Sequence, residues 1–160
     1  DDTIQHAGVV VGLGGVAAHV LCKLPRDAEG YMGRLRCVQE ISAVTAACMM
    51  VKTSVFKAVG GFDEELKVAF NDIDLCMKVR KYGVKIVFTP YAELYHYESK
   101  SRGMEDTPEK QLRFSREVNC FRRKWERELL KGDPYYNPNL TLNNTDCSLR
   151  KQEKNGDSHA

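Results

Sequence analysis

Hydrophobic and polar positions change rhythm several times along the 160 residues of the chain. Residues 3–15, TIQHAGVVVGLGG, are β-branched and apolar and then glycine-rich, a pattern that predicts a strand running out into a loop. PRDAEG at 25–30 predicts a turn. ISAVTAACMMV at 41–51 is too continuously apolar for a half-buried strand, so it predicts a strand covered on both faces. Thr53 is placed to cap a short helix, SVFKAV, which Gly60 and Gly61 would end. From Asn71 to Tyr82, Ile73, Cys76 and Val79 repeat at helical spacing with Leu75 and Tyr82 flanking, which predicts an amphipathic helix. VKIVFTP at 84–90 predicts a strand closed by proline, followed by a strand end or loop in YAELYHYES.

The strongest helix signal comes next. Thr107 is a capping residue, and Pro108 occupies the first helical position, where its missing N–H costs nothing. Phe114, Val118, Phe121, Trp125 and Leu129 then lay down one apolar face, and Gly132-Asp133-Pro134 stops the helix. Residues 135–149 read as irregular, and the polar tail at 150–160 is expected to be disordered. The order strand, strand, helix, helix, strand, long helix predicts an α/β fold with a mixed sheet, flanking helices and a long C-terminal helix. It reads as the second half of a larger fold. Because the chain begins at Asp1 and not at methionine, an N-terminal portion is expected to be missing.

Composition narrows the class. A hydrophobic content of 42% and a charged content of 29% suit one soluble globular domain. The net charge of +2 gives no argument for nucleic acid as a partner. No apolar run approaches the roughly 18 residues of a membrane span, and no signal peptide is visible. The six cysteines form no CxxC pair, and Cys48 and Cys76 sit in apolar runs, so reduced core thiols in a cytoplasmic protein are expected.

Four features invite a chemical reading, each against a plainer one. Asp72 and Asp74 at a helix start would cap exposed N–H groups and complement the helix dipole, with Asn71 or Asp72 as the cap; a catalytic carboxylate is the competing reading. His96, past a strand end, is either a packed histidine or a metal ligand whose partners come from elsewhere. VVVGLGGVAAH resembles a phosphate loop but lacks the third glycine of GxGxxG, since Ala17 stands there, and lacks the lysine and hydroxyl of a Walker loop; a tight turn is the plainer reading. The basic residues of the long helix form a solvated face or attract anionic phosphates or headgroups. Its aromatics lie on the apolar stripe and not where bases would stack.

The ordered set ISAVTAACMMVKTSVFKAVGGFDEEL, FNDIDLCMKVRKYG and VFTPYAELYHYESKSRG resembles the acceptor-side half of family 2 glycosyltransferases of the GT-A (nucleotide-diphospho-sugar transferase-like) fold. IQHAGVVVGLGG and DPYYNPNLTL extend the likeness toward bacterial O-antigen and rhamnan-type enzymes of cell-surface polysaccharide synthesis. The resemblance covers roughly residues 3–149. It implies that Asp72 is the general base, that Asn71, Asp74 and Arg80 position the acceptor or the site, and that His96 completes a metal centre. Asn71 stands where relatives usually have glutamate, and Thr45-Ala46-Ala47 stands where many have Thr-Gly-Ala.

The resemblance further implies a nucleotide-sugar donor, a glycan acceptor, inversion at the anomeric carbon and a divalent Mg or Mn ion. It also implies a cytoplasmic location with peripheral association at the inner face of the membrane. The family's nucleotide-binding half and its Asp-x-Asp metal motif have no counterpart here, because the DID of 72–74 falls at the base motif. Residues 1–149 are therefore expected to be half of a domain and inactive alone. Two other readings stand beside this one: a non-catalytic glycan-binding or assembly domain, and a nucleotide-binding protein built on the glycine loop.

Overall fold

The computed structural model describes residues 2–97 and 107–151. Four short strands form two antiparallel ribbons. Strand β1 (Val9–Val11) pairs with β2 (Ala17–His19), with Val9 opposite His19 and Val11 opposite Ala17. Strand β3 (Gln39–Ile41) pairs with β4 (Ile86–Phe88), with Ile41 opposite Ile86. A single antiparallel bridge between Val9 and Ala43 joins the ribbons, closed by Val9 N donating to Ala43 O at 2.9 Å. In place of one mixed sheet, the described residues thus carry two small antiparallel ribbons within a mixed α/β arrangement.

Successive side chains of a strand face opposite ways, and β1 uses both directions. Val9 and Val11 enter one buried cluster with Val16, Ala43, Leu66, Ile73 and Phe121. Val10 enters a second with Leu13, Val20, Leu35, Tyr136 and Leu140. The run of three valines is therefore a strand covered on both sides, the environment in which an unbroken β-branched run is favourable.

Residues 41–51 depart from expectation. Ile41, Ser42 and Ala43 are buried, but the chain then turns through a 3-10 segment at Ala46–Cys48 that lies exposed, and Met50 is 99% exposed. Two hydrogen bonds divert the backbone. Thr45 caps the turn by accepting from Ala47 N at 3.3 Å, and Ala46 N donates to the carboxylate of Asp72, so these amides are spent outside any ladder. Cys48 is consequently exposed and not a core thiol, whereas Cys76 and Cys147 are buried; all six cysteines are free.

Helix α1 (Thr53–Ala58) starts one residue earlier than expected, with Lys52 at the cap position and Thr53 as its first helical residue. Gly60 and Gly61, at φ 79° and 64°, close it in the left-handed conformation that glycine adopts without strain. Helix α2 (Asn71–Lys81) and helix α3 (Pro108–Lys124) match their sequence signals, and Thr107 accepts from Lys110 N at 3.4 Å as the cap of α3. The long helix is not continuous. Trp125, at φ −114° and ψ 22°, breaks it, and helix α4 (Glu126–Lys131) follows. The indole is 2% exposed, and the break turns it into the core. No described helix is long and apolar enough to cross a membrane. Most of the polar tail, residues 152–160, lies outside the described residues.

Glu117 of α3 is 3% exposed and accepts from Val68 N at 3.1 Å and Ala69 N at 2.9 Å, which fixes the backbone entering α2. Glu117→Gln keeps one acceptor oxygen and places an amide NH2 against the other of the two N–H donors. It should cost about 1–3 kcal/mol, the scale of a buried polar mismatch. Thermal denaturation measures this, and an unchanged Tm would mean that the carboxylate does not hold residues 68 and 69.

Candidate functional site

Helix α2 begins without the expected side-chain cap. Its cap position is Phe70, in the left-handed region at φ 64°, and neither Asn71 nor Asp72 caps it. Such a conformation costs an L-residue about 1–2 kcal/mol. Packing offsets that cost here: the Phe70 ring lies 5.3 Å from Phe121 and 5.8 Å from Phe114, centre to centre, and Glu117 holds the two preceding amides. The helix then starts with Asp74 N donating to Phe70 O at 2.8 Å.

With the cap role taken by Phe70, the Asp72 carboxylate is turned to another use. Its Oδ1 accepts from Ile73 N at 2.9 Å, and its Oδ2 accepts from Ala46 N at 3.0 Å. The side chain is half-buried beside the exposed turn at 46–48. Each oxygen of an ionised carboxylate has two lone-pair sites, so one backbone bond apiece orients the group and leaves acceptor capacity toward solvent. Ala46 keeps a negative φ, so the backbone there has no need of the glycine found in Thr-Gly-Ala.

The remaining predicted residues do not converge on Asp72. Asn71 is half-buried in the first turn of α2. Asp74 is fully buried and faces Trp125 and Lys124. Arg80 donates to Ser42 Oγ at 3.1 Å and stacks over Tyr135 at 5.4 Å, which ties the last turn of α2 to the end of β3 and to the C-terminal segment. Eight residues from Asp72, it lies roughly 12 Å further along the helix axis. His96 is exposed and pairs through Nδ1 with Gln5 Oε1. Among the described residues, no three or more His, Cys, Asp or Glu side chains gather where a metal ion could sit.

The glycine turn is a packing device. Gly12, Gly14 and Gly15 have φ of 97°, 65° and 81°. Gly12 N donates to Val16 O, Gly14 N to Leu142 O and Gly15 N to Gly12 O, so these amides point at carbonyls and not outward at a phosphate. Arg122 Nε donates to Gly15 O at 3.2 Å, and Lys124 pairs with Asp63 and Asp74, so part of the basic face of α3 is engaged within the fold. Two open clefts, of about 430 and 320 Å³, lie between this turn and α3–α4 with Arg122 in both walls; neither is lined by Asp72.

Sequence reasoning missed a histidine pair. His6 and His19 approach through their Nδ1 atoms at 3.0 Å, and Thr45 N donates to His6 Nε2 at 3.4 Å. Burial, with the charge of His19 adding to it, pushes His6 down to about 3. Burial likewise pushes the Cys76 thiol, behind Asp72, up to about 11. The two histidines are thirteen positions apart, and only the β1–β2 hairpin register brings them together. No periodicity marks such a pair in advance.

Comparison with known proteins supplies relatives over part of their length. The chain is 57% identical over 150 residues to an uncharacterized protein, y4gI, of Sinorhizobium fredii, a match covering 93% of this chain and 16% of that protein. It is 38% identical over 161 residues to the O-antigen biosynthesis protein RfbC of Myxococcus xanthus, covering the whole of this chain and 12% of that protein. Over 62 residues it is 36% identical to an N-acetylglucosaminyl-diphospho-decaprenol L-rhamnosyltransferase of Mycobacterium tuberculosis, covering 39% of this chain and 20% of that enzyme. No family model and no solved structure matches. The chain is thus related to polysaccharide glycosyltransferases and corresponds to a fifth or less of each of these relatives.

The depressed His6 ring has a consequence for stability. The folded protein keeps it neutral down to about pH 3, while in the unfolded chain the ring takes up its proton below the ordinary histidine value of 6.5. Its contribution is fully present above pH 6.5 and is lost as pH falls from there toward 3. Urea denaturation at stepped pH should show wild-type stability falling more steeply over that window than His6→Leu, by at most ~1.4 kcal/mol per pH unit. Parallel profiles would mean that the ring is solvated.

Proposed function

We propose that the chain is the acceptor-side half of a family 2, GT-A glycosyltransferase domain, with Asp72 as the general base of an inverting sugar transfer in cell-surface polysaccharide synthesis. The donor is a nucleotide-diphosphate sugar and the acceptor a glycan. The geometry of Asp72 carries this reading: a half-exposed carboxylate whose two oxygens are each aimed by one backbone N–H. The names of the partial relatives, an O-antigen biosynthesis protein and a rhamnosyltransferase, support the substrate class.

A sugar hydroxyl is a weak nucleophile until a base within about 2.6–3.2 Å takes its proton as the bond to carbon forms. The Ala46 and Ile73 amides hold the carboxylate in place, so its free lone pairs can meet an acceptor hydroxyl without a costly search through rotamers. Attack on the face opposite the departing nucleotide diphosphate inverts the anomeric centre. Asn71 lies next to the base, while Asp74 and Arg80 act at a distance by fixing α2.

The family's divalent Mg or Mn ion would stabilise charge on the leaving diphosphate. The described residues do not make a site for it. Hard cations take several oxygen ligands, and His96 stands apart with Gln5 as its partner. The reading therefore assigns the other ligands, and the nucleotide pocket, to the remaining half of the domain, and no step here is routed through the metal. Tyr91 and Tyr97, 80% and 72% exposed, favour a second reading as a glycan-binding module, since aromatic faces pack on sugar rings.

In the full-length protein, Asp72→Asn should lower turnover about 100-fold or more, the usual scale for a lost general base. Asparagine retains one acceptor oxygen, so the variant should still fold. Asp74→Asn should instead lower Tm. Wild-type turnover in Asp72→Asn would sink the base assignment, and if the same variant still bound glycan it would favour the binding module.

A further inference from the structure

We propose that His6 and His19 are positioning residues that clamp the Thr45–Ala46 backbone against Asp72, a role that rests on the reading of Asp72 as the base. Two successive amides make the clamp. Thr45 N donates to His6 Nε2 at 3.4 Å, and Ala46 N donates to Asp72 Oδ2 at 3.0 Å. The turn is thereby held from one side by an imidazole and from the other by the carboxylate it orients.

The hydrogen bonds fix the tautomers. His6 Nε2 accepts from Thr45, so the His6 proton resides on Nδ1. That N–H then donates across 3.0 Å to His19 Nδ1, which leaves the His19 proton on Nε2. A charged His6 would have no lone pair for Thr45; burial keeps the ring neutral well below neutral pH. His19 is anchored in β2 by its register opposite Val9, and the His6 ring also packs edge-on to Phe88 of β4, 6.4 Å between centres. The pair therefore links both ribbons to the turn beside α2.

The consequence is positional. A general base works over a window of a few tenths of an ångström, and a misplacement of about 1 Å can cost about 100-fold in rate. Ala46 N sets the Asp72 oxygen, and His6 sets the residue before Ala46. Neither histidine needs to touch substrate for this role.

The test uses His6→Leu, His6→Gln, His19→Leu and His19→Asn. Glutamine at 6 can return an acceptor near the Nε2 position, and asparagine at 19 an acceptor near the Nδ1 position. In this chain, ring-nitrogen NMR shifts should find His6 protonated on Nδ1 and His19 on Nε2. Amide exchange at Thr45 and Ala46 should quicken about tenfold in His6→Leu, the scale of one lost hydrogen bond.

In the full-length protein, His6→Leu and His19→Leu should lower kcat about tenfold with KM unchanged, and His6→Gln and His19→Asn should recover most of it. Unchanged amide exchange, or the opposite His6 tautomer, overturns the clamp even where Asp72→Asn is inactive. Faster exchange with wild-type turnover in Asp72→Asn removes the base reading instead and with it the catalytic role of the pair. If a leucine variant fails to fold, its polar counterpart and the tautomer measurement still decide.

Discussion

The buried carboxylate of Asp74 is the constraint on which the arrangement of helices depends. It has no exposure to solvent. Trp125 Nε1 donates to its Oδ1 at 2.8 Å, and Lys124 Nζ reaches the same oxygen at 2.7 Å. Lys78 Nζ lies 3.2 Å from Oδ2 as an ion-pair contact without hydrogen-bond geometry. An isolated buried carboxylate is expensive, and removing one partner of such a set costs more than the set contributes as a whole. The group therefore acts mainly through specificity: α2 must meet the junction of α3 and α4 at one azimuth, or a charge is left alone in the core. Lys81 strengthens the same contact, 4.6 Å above the Trp125 ring and 2.9 Å from Glu128.

That azimuth decides where Asp72 points. Two residues along an α-helix turn the side chain by about 200°. With Asp74 committed to the interior, Asp72 faces away from Trp125, toward the turn at 45–46. The break at Trp125 belongs to the same requirement. A straight helix would continue the apolar stripe, whereas the actual chain leaves helical geometry for one residue and the indole reaches the carboxylate. Glu117 controls the opposite end by holding residues 68 and 69, so both the rotation and the entry point of α2 are set by buried acidic groups, one its own and one from α3.

Elements written as local patterns were legible in the sequence. The Thr107-Pro108 start, the α2 periodicity, the glycine pair after α1 and the proline after β4 each rest on neighbours within a few positions. Failures came where a distant partner competes for a backbone group. ISAVTAACMMV reads as a buried strand until the Asp72 carboxylate takes Ala46 N and Thr45 caps the turn. Phe70 would never be chosen as a helix cap from its type; two aromatic rings and Glu117 make it one. The DID motif divides the same way. Its resemblance pointed to Asp72, but only packing separates an outward, backbone-aimed carboxylate from an inward, lysine-paired one two residues later.

The same division bears on why half a domain would hold its shape while lacking a complete site. The charges that secure α2 find their partners within the chain, since Lys78, Lys124 and Trp125 all lie among the described residues. The surface around Asp72 is different. Ala46, Ala47 and Cys48 are exposed, and the clefts open elsewhere. Under the proposed reading, a second half covering that region would exclude water from the base and supply the groups that hold the donor. The scaffold and its base would then be assembled on one side of the reaction, and the leaving group would be managed from the other.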